Sequence, residues 1–327
     1  MKFLDRQGIP CRSFFFTRVF CGAIIIIDCV QGDELMDYEG QICRSPMEKA
    51  SYMLPVTVGC SHNKCHFCML FKHLQYRVLP TEQVFAEIDR VAAVGGKPKR
   101  VFLGDGNAFS LSARRIEEIV TYLKEKLPSV ECIGMDSHTR NILDKSPEEL
   151  KHLRSLGVTD FYIGIECGLE DVLALNEKGN TLAEAEQAIN MLHDADMYYD
   201  AHIMTGIAGK GRGVENGKAL AEFFNRTRPH RVCNFSLFFH TGSELYQDHL
   251  AGKFEPADEL ENLIEELTLL EHMNEDYECE FDGMHDFIEF RNRGLWPRDK
   301  EKMIAKLKKQ IKFLEENPDE NFVAICG

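Results

Sequence analysis

From Ser51 onward the chain alternates two kinds of apolar pattern. Short β-rich runs at Met53–Val58, Arg100–Leu103, Glu131–Met135, Asp160–Ile165, Tyr199–Thr205 and Arg231–Phe238 read as strands. Between them lie amphipathic runs at helical spacing, near Thr81–Val94, Ala113–Leu127, Pro147–Leu156, Leu182–Ala195, Val214–Asn225 and Asp258–Asn274. Ser146-Pro147-Glu148-Glu149 places a capping Ser, a first-turn Pro and a Glu at the third position, and Thr181 with Glu184 repeats that spacing. Strand–helix alternation through about six units predicts a parallel sheet with helices outside. The pattern leaves the closure open between a doubly wound sheet and a complete or partial barrel. In each, ligands sit at the carboxyl ends of the strands, so the loops after the strands are the ones to search. Residues 275–327 read as a tail, with Arg291–Trp296 as a loop and Pro297–Glu315 as a charged helix.

Composition narrows the function classes. At 327 residues and 44% hydrophobic, the chain has ample material for a buried core. A formal charge of −15 speaks against general affinity for nucleic-acid backbones or anionic membranes, leaving only a local basic patch as a route to a nucleic-acid substrate. No apolar run approaches the roughly 18–20 residues of a spanning helix, so the expectation is a cytoplasmic protein with no membrane partner. Residues 1–35 are unusual: Lys2, Arg6, Arg12 and Arg18 precede or interrupt an approach to the apolar run Val19–Ile27, superficially like a secretory signal. No small-residue cleavage site follows, and Met36 offers an alternative start. No function is built on that segment.

Three of the twelve cysteines, Cys60, Cys65 and Cys68, fall within nine residues directly after the first predicted strand. A disulfide framework suits short secreted chains, whereas clustered cysteines in a reducing cytosol point to metal. Three thiolates on one loop converge on a soft metal centre. A cubane iron–sulfur cluster normally takes four cysteines, so three leave one iron open to an outside ligand. The competing reading is a zinc site with His62 or His66 as the fourth ligand, which would make the chain a binding or regulatory module. Zinc favours paired Cys-x-x-Cys knuckles, and only one pair occurs here; Cys326 stands isolated at the far end.

The run Val58-Gly59-Cys60-Ser61-His62-Asn63-Lys64-Cys65-His66-Phe67-Cys68 resembles the radical S-adenosylmethionine (SAM) superfamily. The likeness is strongest to the group holding the Elongator catalytic subunit, the tRNA methylthiotransferases and a nitrogenase-cofactor maturase. It extends over roughly Glu39–Arg298. The family spaces its cysteines by three and then two residues, with an aromatic before the last. Phe67 and the second gap match, whereas four residues separate Cys60 from Cys65. The resemblance implies a partial TIM-type (β/α)6 barrel over 36–255, preceded by the segment 1–35 and followed by a helical C-terminal extension at 256–327. It implies a 4Fe–4S cluster on Cys60, Cys65 and Cys68, and reductive cleavage of SAM to a 5′-deoxyadenosyl radical acting on an unknown substrate. An external flavodoxin- or ferredoxin-like protein would supply the electron.

The same resemblance assigns the strand-end residues. Phe67 is expected against SAM, the glycine-rich Gly104-Asp105-Gly106 at its ammonium and carboxylate, and Glu166 of Gly164-Ile165-Glu166-Cys167-Gly168 at its ribose or ammonium. Glu166 would be costly to bury unpaired near the end of an apolar strand. Arg140 or His138 is a candidate for the SAM carboxylate or the substrate, with a helix-entry salt bridge as the plain alternative. His202–Gly209 resembles an apolar, glycine-containing adenine wall. Residues Arg291–Arg298 are a candidate cap over the site. No second cysteine trio, acetyltransferase-sized tail or cobalamin-binding region is visible, which sets the chain apart from the multi-domain members.

Overall fold

Eight strands form one sheet in chain order: β1 (Tyr52–Pro55), β2 (Arg100–Gly104), β3 (Cys132–Ser137), β4 (Val158–Glu166), β5 (Tyr198–Thr205), β6 (Arg231–Ser236), β7 (Cys279–His285) and β8 (Phe290–Trp296). This computed structural model describes residues 43–327, so the signal-like segment 1–35 lies outside the described residues. Strands β1 to β7 pair in parallel and β8 returns antiparallel to β7. The crossovers are made by α1 (Thr81–Ala93), α2 (Ala113–Lys126), α3 (Thr139–Leu143), α4 (Pro147–Ser155), α5 (Glu170–Leu175), α6 (Leu182–Asp194), α7 (Gly213–Thr227), α8 (Glu244–Leu250) and α9 (Glu259–His272); α10 (Lys300–Glu316) follows β8. The edge strands β1 and β8 do not pair with each other, so the sheet is a partial barrel.

Strand alternation sorts the side chains. Along β4, Phe161 and Ile163 join the core between sheet and helices, whereas Asp160, Tyr162 and Gly164 point to the other face. Outer-face residues such as Leu54, Val101, Ile133 and Val232 are fully buried against Ile88, Ile116, Leu153 and Phe224 of the helices. Both anticipated capping boxes form: Ser146 Oγ accepts from Glu149 N, Thr181 Oγ1 accepts from Glu184 N, and each Glu accepts from its cap backbone.

The amino ends of the strands are sealed by charge. A 3-10 turn at Pro46–Glu48 inserts the fully buried Glu48, which accepts from Arg100 at the start of β2 and from the Tyr162 hydroxyl (2.9 Å). Arg231, the first residue of β6, reaches Asp160 and Asp200 at 3.4 Å each. Access is therefore left at the carboxyl ends.

The tail departs from expectation. Residues 256–327 are not purely helical: they supply β7 and β8, and Arg291–Trp296, expected as a loop, is the second of these. Two small ladders frame the open end. Thr57–Val58 pairs antiparallel with Arg77–Val78, and Phe239–His240 pairs in parallel with Ile325–Cys326.

Candidate functional site

The first small ladder closes the base of the cysteine loop, residues 59–76. Gly59 turns the chain into the loop at φ +73°, a left-handed conformation that glycine adopts without steric cost. Inside the loop Asn63 Nδ2 donates to the Phe71 carbonyl (2.9 Å) and Cys68 N donates to the Cys65 carbonyl (3.2 Å). The loop is then pinned from outside, since His66 N donates to the Asn176 carbonyl after α5 and Leu245 N donates to the His66 carbonyl.

Cys60, Cys65 and Cys68 share the wall of one cavity of about 700 Å³ at the carboxyl ends of the strands. Phe67, Gly106 and Glu166 also line it, as do His138 and Lys178. Burial pushes the Cys68 thiol up to about 12 and raises that of Cys65. Among the described residues, the only trio of His, Cys, Asp or Glu whose ligand atoms all lie within 4.8 Å of one another is Asp160, Asp200 and His230. Among the three cysteine thiols at least one separation exceeds that. The acidic trio is occupied by its own cations, because Arg231 reaches both carboxylates.

Glu166 sits at the end of β4 with φ +63°, beside a shift in the β4–β5 register. Its Oε1 accepts from Lys178 Nζ at 2.8 Å, and both side chains are about nine-tenths shielded. Burial alone would lower the Lys178 ammonium, yet Glu166 and then Cys65 raise it above its ordinary value. Gly164 leaves room for this pair, since a Cβ there would collide with both side chains.

The remaining expected residues divide. Gly106 touches the cavity under the Phe71 ring, whereas Gly104 and Asp105 do not line it; Asp105 is fully buried and accepts from Cys43 N (3.3 Å). Arg140 is not brought to the cavity. Its side chain is 60% exposed, donates to the Gly179 carbonyl and pairs with Glu184 at 3.5 Å, the helix-entry bridge rather than a cofactor contact. His138 does line the cavity, with Nε2 donating to the Lys178 carbonyl; burial holds its pKa down to about 4. His66 is spent on Asp248 (2.7 Å) and Glu177 (3.5 Å), and His62 donates through Nε2 to the Glu177 carbonyl (2.8 Å). Cys167 is fully buried and its Sγ donates to Asn216 Oδ1.

Several cavity residues had no sequence signal. Asp136 is half-buried at the cavity wall, and burial first, then Asp105 and Glu48, lift its carboxyl to about 8. Tyr162 and Phe235 line the cavity beside His202, the first residue of the expected adenine wall, and Cys326, isolated in sequence, reaches it through the second small ladder. Only the fold brings them together.

A sequence model of the Radical SAM superfamily matches residues 54–224. The tRNA uridine(34) acetyltransferase of Methanocaldococcus infernus is 22% identical over 245 residues, which is 62% of this chain and 45% of that protein. The chain thus spans about half the length of the curated relatives it matches first. Among solved structures, archaeal Elp3 of the same organism, lacking its N-terminus, superposes with a TM-score of 0.51 at 17% identity, over 82% of this chain and 63% of that one. Methylornithine synthase gives 0.51 at 15% identity, over 79% and 68%. At these identities the structural likeness speaks for the fold.

Proposed function

Because the chain belongs to the radical SAM superfamily, we propose that Cys60, Cys65 and Cys68 hold a 4Fe–4S cluster and that the cavity beside them binds SAM. When bound, that pair supplies one-electron reductive cleavage of the sulfonium, releasing methionine and a 5′-deoxyadenosyl radical. The observation that carries the reading is the donor set. The thiols around a single tetrahedral zinc would stand roughly 4 Å apart. These three share one cavity wall, at least one of their separations exceeds 4.8 Å, and no His or fourth Cys completes a tight site with them among the described residues. Such a spread suits a multi-iron centre with one position left to an outside ligand.

The chain's own residues prepare the space. Phe67 lies half-buried on a small apolar cluster with Val172, Leu173 and Phe239, which fixes the ring at the cavity wall. Glu166, anchored by Lys178, presents its second carboxylate oxygen where a cosubstrate hydroxyl or ammonium can be held. Gly106 admits close backbone approach. Asp105 contributes from behind this turn rather than by contact, and Arg140 is given no part. Loading must displace the protons that burial holds on Cys65 and Cys68. We further propose a reducing cytoplasmic setting and an external one-electron donor. No helix among the described residues is long and apolar enough to cross a membrane.

The test is anaerobic reconstitution with iron, sulfide, dithionite and SAM. Wild type is expected to take up about four irons and to form 5′-deoxyadenosine and methionine, and Cys65→Ala to lose both the iron and the product. One equivalent of zinc with no 5′-deoxyadenosine, or full activity in the variant, would overturn the assignment.

A further inference from the structure

One side of the cavity carries a second message, about what is bound there. Its wall is built from rings. Tyr162 on β4 stands 5.2 Å from the His202 ring on β5, which lies 6.0 Å from Phe235 on β6; Phe238 and Phe287, from the loops after β6 and β7, pack at 5.3 Å. Tyr162 backs this wall without opening onto it: it is 1% exposed, and its hydroxyl points down to Glu48 and receives a hydrogen bond from Arg231.

The formal charges around this wall are cancelled or turned away. Glu166 and Lys178 neutralise each other at 2.8 Å. Arg44 spends its guanidinium on the Ser51 and Lys49 carbonyls at 2.6 and 2.8 Å. Burial, then Asp105 and Glu48, lift the Asp136 carboxyl to about 8, which disfavours its charged form. Burial holds the His202 imidazole down at about 4, and its Nε2, without a hydrogen-bond partner, is closed off even from a water molecule.

We propose that this aromatic side of the cavity receives an uncharged planar ring of the substrate, stacked against the half-buried Phe235, Phe238 and Phe287 and bordered by the His202 ring. The inference rests on the cluster-and-SAM reading, which reserves the part of the cavity beside the cysteines. A chamber that must share about 700 Å³ with those groups admits one ring or small bicycle, not a chain. A fixed ionic group on that ring would meet aromatic walls and suppressed charges, and would be desolvated without a partner. The ring belongs either to a free small molecule or to a base offered by a polymer.

Anaerobically loaded protein with SAM, dialysed at pH 7 against indole, indole-3-acetate, tryptamine, uridine and a short uridine-containing RNA, tests this. Retention of indole or uridine at least tenfold above indole-3-acetate and tryptamine is expected. Phe235→Ala should lower that retention tenfold or more, with Phe235→Leu intermediate. Uridine retained only within the RNA identifies the polymer as the source; retention of the free rings identifies a small molecule. Equal or stronger retention of the ionic rings, no retention of any neutral ring, or unchanged binding in Phe235→Ala overturns the proposal. Formation of 5′-deoxyadenosine by the same wild-type preparation reports separately on the reading beneath it.

Discussion

Glu166 holds a left-handed backbone that costs a residue with a Cβ about 1 kcal/mol, and it does so at a strand end where its carboxylate is nearly shielded from water. One contact makes that tenable, the 2.8 Å bridge to Lys178. Removing one partner of a buried pair leaves the other charge stranded, whereas removing both leaves a dry gap. Lys178→Met is therefore expected to lower the unfolding free energy by about 3 kcal/mol, and adding Glu166→Gln should recover part of the loss. Urea titrations of the two variants and the wild type measure this; a purely additive double variant would show that the bridge does not carry the energy. The pair also marks the limit of what the sequence discloses. The cysteines are legible because their chemistry is compressed into nine residues, and Glu166 because a carboxylate ends an apolar strand. Nothing in the sequence says that Lys178, twelve positions on, folds back to that carboxylate, or that Cys326 arrives beside a loop more than two hundred residues away. Arg140 shows the converse: placed next to a strand end by sequence, it is carried outward by the first turn of α3.

The six βα units were readable because each strand carries apolar residues at alternate positions or in a short run and each helix a plain period, and the two capping boxes fix helix starts to the residue. Strands β7 and β8 were not readable, for a reason visible in Cys279-Glu280-Phe281-Asp282-Gly283-Met284-His285. Asp282, Gly283 and His285 look like a turn, yet each has a partner supplied by another element. Asp282 accepts from Arg291 on β8, His285 meets Glu266 of α9 at 2.9 Å, and Gly283 is empty space that the Glu266 carboxylate occupies. Polar strand residues satisfied at long range defeat any pattern based on alternation alone. This makes Gly283 a steric requirement of the element. Gly283→Ala places a Cβ against the Glu266 carboxylate and is expected to destabilise the fold by about 2 kcal/mol. Glu266→Ala should make the substitution better tolerated, and thermal melts of the single and double variants check the coupling. If Gly283→Ala alone melted with the wild type, the carboxylate would have room that the geometry denies it.

Across the whole molecule, helix α9 locks the carboxyl half of the sheet together through buried polar groups. Glu265 accepts from Gly206 N after β5 and from Asn216 on α7; Glu266 accepts from Asn234 on β6, His285 on β7 and Asn292 on β8. Ser236 on β6 and Glu259 at the start of α9 face the other side of His285. A lock of this kind responds to protons. Burial alone would lower the His285 imidazolium, but the hydrogen bonds and charge of Glu259 and Glu266 outweigh it and hold the pKa up at about 9. The folded chain then binds this proton more tightly than the unfolded chain, whose histidine titrates near about 6.5. The stabilisation is complete below that value and is lost as pH rises through 9. Glu265, pushed up to about 8 by burial, shifts stability in the same direction over a window that begins in the ordinary carboxyl range. Carboxylates held down by cations, such as Asp160, act in acid and have finished titrating before this window opens. Trp296 is the only tryptophan of the chain; it is fully buried at the end of β8 and donates to the Asn274 carbonyl just beyond α9, so its fluorescence reports this region. Urea midpoints followed by that signal are expected to fall steadily from pH 6.5 to 9.5 in the wild type. In His285→Gln they should start lower and run flatter. Parallel slopes in the two proteins would mean that some other group carries the pH dependence and that α9 is held without this proton.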